Sequence, residues 1–128
     1  MLALQRGAAD LVIQPSPAQL PGLRRDGRFV VHETDGLRVV YVAMNTTAPP
    51  LDDPTVRQAL NHAVDRRVLL DHVLEGAGAP VRSVISPLVF GFKDMDLDRR
   101  YPFDRAQARM LLVRAGWRPG PDGIMGKD

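Results

Sequence analysis

The chain has 128 residues, of which 45% are hydrophobic and 25% charged, a balance typical of one globular domain or of pieces of two. The charges of its 17 basic and 15 acidic side chains nearly cancel. This charge balance, the 5% of aromatic residues and the scattered arginine pairs argue against a nucleic-acid-binding protein. Cysteine is absent, which excludes a disulfide framework, a thiolate metal site and a cysteine nucleophile.

The first third of the chain predicts short helices and strands. A helix is expected to end near Gly7, and Ser16 followed by Pro17 is typical of the cap and first residue of another short helix. Three apolar runs are typical of strands, and Asp35-Gly36 between the second and third is typical of a hairpin turn. These runs are residues 10–13, 28–34 and 37–45. The third is continuously apolar from Val39 to Met44, which predicts a central strand covered on both faces.

Residues 48–70 predict two helices that meet at a corner. Asp53 followed by Pro54 supplies a carboxylate for the unpaired backbone N–H groups of a helix start, then a residue that lacks an N–H. Asp65 is the predicted cap of the second helix, which is expected to end near Gly76. The buried stripe of the first helix is expected at Val56, Leu60, Ala63 and Val64.

A further helix is predicted over residues 105–115. Asp104 is its expected N-cap, and Gly116 stands where a left-handed residue commonly ends a helix. A turn follows, after which Ile124 is expected to start another strand. The side chains predicted to face inward on the helix are Ala108, Leu111, Leu112 and Ala115.

The sequence offers little to support catalysis. Asp94, Asp96 and Asp98 alternate as in a calcium loop, but the central glycine and the distal glutamate are missing, so a solvated acidic loop is the better interpretation. The three histidines are far apart in the sequence, and no serine stands in a G-x-S-x-G context. We therefore predict no catalytic residue, no metal ligand, no cofactor and no enzymatic activity.

The run MNTTAPPLDDPTVRQALNHAVDRRVLLDHVLEGAGAP, residues 44–80, carries a dense and ordered set of motifs. An asparagine ends the strand, followed by a proline pair, an aspartate pair, an RQAL helix, an A-V-D-R corner and a G-x-G-x-P loop. In this order they resemble the signature region of the family 5 extracellular solute-binding proteins, the peptide-, dipeptide- and nickel-binding receptors of bacterial ABC importers. The flanking segments LQRGAADLV and YPFDRAQARMLLVRAGW are similar to the family as well. Leu51 stands where the family usually has an aromatic residue.

The resemblance implies a mixed α/β (α+β) architecture, namely a piece of a periplasmic-binding-protein-like fold with two lobes. The chain is then expected to be an internal fragment that spans a hinge. Residues 1–45 would end the first lobe and include the hinge strand, and residues 46–128 would begin the second lobe. On the hinge strand, Tyr41, Ala43 and Asn45 share one face and are the candidate ligand-facing residues. The alternative for these three is plain core packing.

The function implied by the resemblance is binding without catalysis. The chain would be part of a substrate-binding component that takes up peptides or similar small solutes outside the cytoplasmic membrane and passes them to an ABC permease. A solute-binding-like domain of a cytoplasmic transcriptional regulator, or an interaction fragment that binds no solute, are the alternatives. No targeting or membrane-spanning segment is predicted within the chain. Exposed edges of the strand at 37–45 are expected to promote self-association.

Overall fold

The structure is a computed structural model that describes residues 1–127. Within these residues it contains six α-helices, one 3₁₀ helix and two short strands. The 3₁₀ helix is Pro17–Gln19, directly before α2. The helices are α1 (Leu2–Gln5), α2 (Leu20–Arg25), α3 (Pro54–Ala63), α4 (Arg66–Val73), α5 (Leu97–Arg100) and α6 (Arg105–Arg114), and the strands are β1 (Arg118–Pro119) and β2 (Met125–Gly126). No helix among the described residues is both long and apolar enough to cross a lipid bilayer.

The chain divides into two compact units. The first comprises Met1–Asp35 and Leu69–Ala79, and the second comprises Gly36–Val68 and the chain from Pro80 onward. The first unit has little core, since its buried apolar side chain is Leu23 of α2. The second unit contains the better-packed helices, which are described next.

The core of the second unit lies between α3 and α6, which pack against each other. Two of the four buried positions are alanine. The start of α6 is also bonded to the end of α3, because the Asp104 N–H donates to the His62 carbonyl over 2.9 Å. The buried side chains of the two helices are Val56, Ala59, Ala108 and Leu111.

The predicted stripe of α3 is only partly correct. Val56 is buried, but Leu60, Ala63 and Val64 are exposed. The contact face instead includes Ala59, which is 1% exposed. The apolar pattern of α3 alone does not specify the neighbour that it meets, which in the structure is α6. On α6 the prediction of Ala108 and Leu111 as inward-facing is confirmed.

Three aspartates begin helices, as predicted from the sequence. Each carboxylate accepts a hydrogen bond from a backbone N–H in the first turn, where no carbonyl of the helix is available. The run of residues 48–70 is therefore a corner of two capped helices. The carboxylate–amide pairs are Asp53 with Thr55 (2.7 Å), Asp65 with Arg67 (3.0 Å) and Val68 (3.2 Å), and Asp104 with Gln107 (2.8 Å).

The end of α6 is fixed by Gly116, as predicted. This glycine has φ +91°, a left-handed conformation that carries a steric cost for residues with a Cβ. Its N–H donates to the Val113 carbonyl and the Trp117 N–H donates to the Leu112 carbonyl, each over 3.0 Å. The two bonds form a Schellman motif that satisfies the last carbonyls of the helix. The chain then turns into β1, which pairs antiparallel with β2.

The strands predicted at 10–13, 28–34 and 37–45 are not formed within the described residues. The expected hairpin around Asp35-Gly36 is likewise absent from them. The third run is not covered on both faces, because Val40, Tyr41 and Val42 are 73%, 72% and 82% exposed. A strand needs the N–H and C=O groups of a neighbouring strand, and the apolar composition of a segment does not supply them. The predicted α/β class is therefore met only in part, as a helix-rich chain with one two-stranded sheet.

We expect Asp104→Ala to lower the free energy of unfolding by about 0.5–2 kcal/mol, because the Gln107 N–H then loses its acceptor. Urea unfolding followed by circular dichroism measures the change. Asp52→Ala is the matched control, since the Asp52 carboxylate makes no hydrogen bond among the described residues. Equal losses for the two variants would contradict the cap.

Candidate ligand-binding site

The three residues proposed from the sequence lie on the extended segment that precedes the helix corner. Tyr41, Ala43 and Asn45 are all exposed, so they are not core residues in this structure. The Asn45 Oδ1 accepts bonds from the Thr47 N–H (3.1 Å) and the Thr47 hydroxyl (2.8 Å). This local turn fixes the Asn45 side chain and leaves its NH₂ group available to another acceptor.

A groove of about 350 Å³ lies on the other side of the same segment. Its size falls within the range of small-molecule sites, roughly 300–1,000 Å³. The segment contributes Val42 and Met44, which alternate with the three predicted residues. The complete lining is Val42, Met44, Pro54, Arg57, Gln58, Asn61 and Tyr101. None of the three residues proposed from the sequence belongs to it.

The polar side of the groove was missed by the sequence interpretation. Arg57, Gln58 and Asn61 follow one face of α3, with spacings of three and four residues that place side chains together. That spacing was visible in the sequence, but the residue that completes the group, Tyr101, lies 40 positions away from Asn61 along the chain. Only the packing of α3 against the segment before α6 brings them together.

Arg57 holds the loop that leads into α3. Its Nη1 donates to the carbonyls of Leu51 (2.7 Å) and Asp52 (3.0 Å), and its own carbonyl accepts a bond from Asn61 Nδ2 (2.9 Å). The arginine of the RQAL motif is therefore a structural clamp in this chain. The remaining guanidinium nitrogens face no acceptor within the described part of the chain.

Arg66 plays a similar part at the corner. Its Nη1 donates to the Tyr101 carbonyl over 3.0 Å and lies 3.5 Å from the Asp98 carboxylate, while its Nη2 donates to Asn61 Oδ1 over 3.4 Å. The Tyr101 ring also stands edge-on to His62, with the ring centroids 5.6 Å apart. These contacts hold Tyr101 at the rim of the groove.

The groove can hydrogen-bond a solute but contains no pair of groups suited to acid–base or nucleophilic chemistry. The Gln58 side chain and the Tyr101 hydroxyl make no hydrogen bond to other described residues and are available to a ligand. Val42 and Met44 supply the apolar wall. A site of this composition is typical of binding, with a few polar groups that orient a ligand against an apolar surface.

Carboxylates of the acidic run at 94–98 form salt bridges with arginines. The Asp94 carboxylate lies 2.7 Å from Arg82, and the Asp96 carboxylate lies 2.5 Å from the guanidinium of Arg99. Across residues 1–127, no cluster of three or more histidine, aspartate or glutamate side chains is placed to hold a metal ion.

The capping carboxylate of Asp53 titrates at lower pH than usual. The Thr55 backbone N–H donates to it and holds the pKa of Asp53 below its ordinary value of 3.8. A carboxyl with a lowered pKa in the folded chain stabilises that chain above 3.8, and the contribution is lost as the pH falls through the lowered value.

We therefore expect Asp53→Asn to flatten the fall of the thermal unfolding midpoint below pH 3.8, because the amide still accepts the bond but does not titrate. Thermal unfolding followed by circular dichroism at stepped pH measures the profile. Asp52→Asn, a change of the neighbouring carboxylate, is the control. A profile for Asp53→Asn that matches the unmodified chain would contradict the expectation.

Comparisons with known proteins agree with the motifs of the sequence. The family model described as "Bacterial extracellular solute-binding proteins, family 5 Middle" matches residues 1–127. Heme-binding protein A of Haemophilus influenzae is 38% identical over 117 residues, which are 91% of this chain and 21% of that protein. The dipeptide-binding protein of Escherichia coli is 34% identical over 117 residues, 91% of this chain and 22% of that protein.

A solved structure is also similar to this chain. The crystal structure of NikZ from Campylobacter jejuni in complex with Ni(L-His) superposes with a TM-score of 0.59 and 27% sequence identity. The match covers 99% of this chain and 25% of NikZ. The chain thus spans about a fifth to a quarter of the length of the proteins it matches.

Proposed function

Because the chain belongs to the bacterial extracellular solute-binding proteins, family 5, we propose that it forms part of the substrate-binding component of an ABC-type importer. In this proposal the receptor binds peptides or similar small solutes outside the cytoplasmic membrane, in the periplasm or at the cell surface, and delivers them to a permease. The observation that carries the proposal is the family match over residues 1–127. The relatives cited above are named as binding proteins, so neither an enzymatic role nor the regulator alternative is favoured.

Within the receptor, we assign residues 1–45 to the end of one lobe and the residues from 46 onward to the start of the other. The segment that ends at Asn45 then crosses between lobes, where ligand is enclosed in two-lobed receptors. The helix corner after it is the rigid base, since its motif residues cap helices or hold loop carbonyls.

We further propose that Tyr41, Ala43 and Asn45 face the ligand. Tyr41 is 72% exposed and offers a ring and a hydroxyl, and Asn45 offers the NH₂ group that its turn leaves available. Ala43, between them, leaves room for a solute to approach the backbone. Such a surface suits peptide groups, which combine apolar side chains with amide donors and acceptors.

The test is a chimera in which residues 1–127 replace the matching segment of the E. coli dipeptide-binding protein. We expect the chimera to bind a dipeptide, and Tyr41→Ala and Asn45→Ala each to weaken binding about tenfold or more, measured by calorimetry. Val40→Ala changes an equally exposed residue on the alternate face and is the matched control. A folded chimera without dipeptide binding would contradict the receptor role, and an equal loss in Val40→Ala would contradict the assigned face.

A further inference from the structure

The chain contains three Asp-Gly pairs, a dipeptide that rearranges readily through a cyclic imide. They are Asp26-Gly27, Asp35-Gly36 and Asp122-Gly123. In this reaction the glycine backbone nitrogen attacks the side-chain carbon Cγ of the aspartate, and a water molecule leaves. Glycine favours the reaction because no Cβ hinders the approach of its nitrogen. The three pairs are the same dipeptide, so their surroundings in the fold distinguish them.

The Asp26 carboxylate is held by Arg28. Its Oδ1 accepts from the Arg28 backbone N–H (3.2 Å) and Nε (3.0 Å), and its Oδ2 accepts from Nη2 (2.8 Å). These hydrogen bonds lower the pKa of Asp26 and favour the ionised carboxylate. That form is the unreactive one, because water is expelled from a protonated carboxyl group. Attack by the Gly27 nitrogen would also require the carboxylate to leave its charge-assisted bonds.

At Asp122-Gly123 both reacting groups are hydrogen-bonded. Asp122 Oδ1 accepts from the Ile124 N–H over 3.0 Å. The Gly123 N–H donates to the Gly120 carbonyl over 2.9 Å, within the turn that joins β1 to β2. The nitrogen has to leave this bond before it can lose its proton and attack. The fold therefore protects the nucleophile of this pair as well as the carboxylate.

At Asp35-Gly36 neither reacting group has a partner within residues 1–127. The Asp35 carboxylate makes no hydrogen bond or salt bridge there, and both residues are exposed. The Gly36 N–H likewise donates to no described group. The Ser86 hydroxyl donates to the Gly36 carbonyl over 2.9 Å, but this carbonyl takes no part in ring closure. The pair thus combines an available nitrogen with an available carboxyl group.

We propose that Asp35 is the residue at which this chain forms isoaspartate. The Gly36 nitrogen gives its proton to water and bonds to Asp35 Cγ, and the carboxyl hydroxyl leaves as water. Water then opens the imide at either carbonyl: cleavage at the backbone carbonyl gives isoaspartate, and cleavage at Cγ restores aspartate. The net mass is unchanged, and isoaspartate adds one methylene to the backbone directly before Gly36. The proposal does not rest on the proposed receptor function.

Storage of the folded 128-residue chain in warm neutral buffer tests the selectivity. Isoaspartyl methyltransferase with labelled S-adenosylmethionine measures isoaspartate, and electron-transfer fragmentation of peptides assigns it to a residue. We expect most of it at Asp35, and Gly36→Ala should remove most of that signal because its Cβ hinders the nitrogen. Gly27→Ala is the matched control, since a Cβ there meets no other atom within 4 Å, and it should leave the signal unchanged. Equal amounts at the three pairs, or no isoaspartate at all, would overturn the proposal.

Two further measurements separate the effect of the fold from that of the dipeptide. In guanidinium chloride the protecting hydrogen bonds are lost, and we expect similar amounts of isoaspartate at all three pairs. In the folded chain, Arg28→Ala should add isoaspartate at Asp26, because two of its three bonds are removed. Arg38→Ala changes an exposed arginine without a hydrogen bond to the described chain and should leave Asp26 unmodified. The same preference for Asp35 in the unfolded chain, or an unmodified Asp26 in Arg28→Ala, would overturn the selection by the fold.

Discussion

Replacement of Leu111 by alanine is expected to lower the free energy of unfolding by about 2–5 kcal/mol. Leu111 is 8% exposed and is the largest of the four side chains buried between α3 and α6. Its truncation removes apolar contacts and leaves a cavity that two short helices close only partly. Because the second unit has so few buried side chains, this loss is a large share of its stability.

Urea unfolding followed by circular dichroism measures this change. Met110→Ala, one position earlier on α6, is the matched control, because Met110 is 62% exposed. We expect the control to change stability by less than about 0.5 kcal/mol. A loss for Leu111→Ala that is no larger than for Met110→Ala would show that α3 and α6 are not packed through this face.

Replacement of Arg57 by alanine is expected to cost about 1.5–3 kcal/mol, the range for hydrogen bonds to charged groups. The guanidinium donates to the Leu51 and Asp52 carbonyls, which precede α3 and have no other backbone partner among the described residues. Loss of these hydrogen bonds frees the loop that leads the chain into α3.

Arg67→Ala is the control for this change, since the exposed Arg67 side chain makes no hydrogen bond to the rest of the described chain. We expect it to stay within about 0.5 kcal/mol of the unmodified chain. Arg57→Lys should recover only part of the loss, because the lysine side chain is shorter and its ammonium group is not held in the fixed donor geometry of a guanidinium. Full recovery by lysine would contradict the clamp geometry.

The helix corner was predicted from the sequence because its signals are local. A helix start is marked by an aspartate directly before a proline, or by one whose carboxylate can accept the free N–H groups of the first helical turn. Neither signal needs information from the rest of the chain. Asp53, Asp65 and Asp104 were assigned on this basis and are caps in the structure. Gly116 likewise ends α6 because the left-handed conformation there is cheapest for glycine.

The strand predictions were wrong for the opposite reason. Residues 37–45 have the composition of a buried strand, but a strand exists only where a second segment supplies hydrogen bonds. The described chain contains no such neighbour for them. The exposed side chains of Val40, Tyr41 and Val42 are the consequence.

The groove was not predicted from the sequence, for a related reason, and the assignment of Tyr41, Ala43 and Asn45 to the ligand stays a prediction. The alternation that placed Tyr41, Ala43 and Asn45 on one face also places Val42 and Met44 on the other, and the sequence does not say which face meets α3. In the structure the second face lines the groove with Arg57, Gln58 and Tyr101. That choice depends on tertiary contacts, above all on Arg66, which joins the corner to the Tyr101 backbone.

Under the proposed function, this chain supplies part of a receptor wall and does not enclose a ligand alone. Binding sites gain affinity by covering most of the ligand surface. The groove and the exposed face at 41–45 lie on opposite sides of one segment, and each could cover only one side of a ligand. The direct measurement is calorimetric titration of the 128-residue chain with a pool of di- to pentapeptides. We predict no heat of micromolar binding, which corresponds to about −8 kcal/mol. A micromolar isotherm that Tyr41→Ala or Asn45→Ala abolishes would contradict the claim.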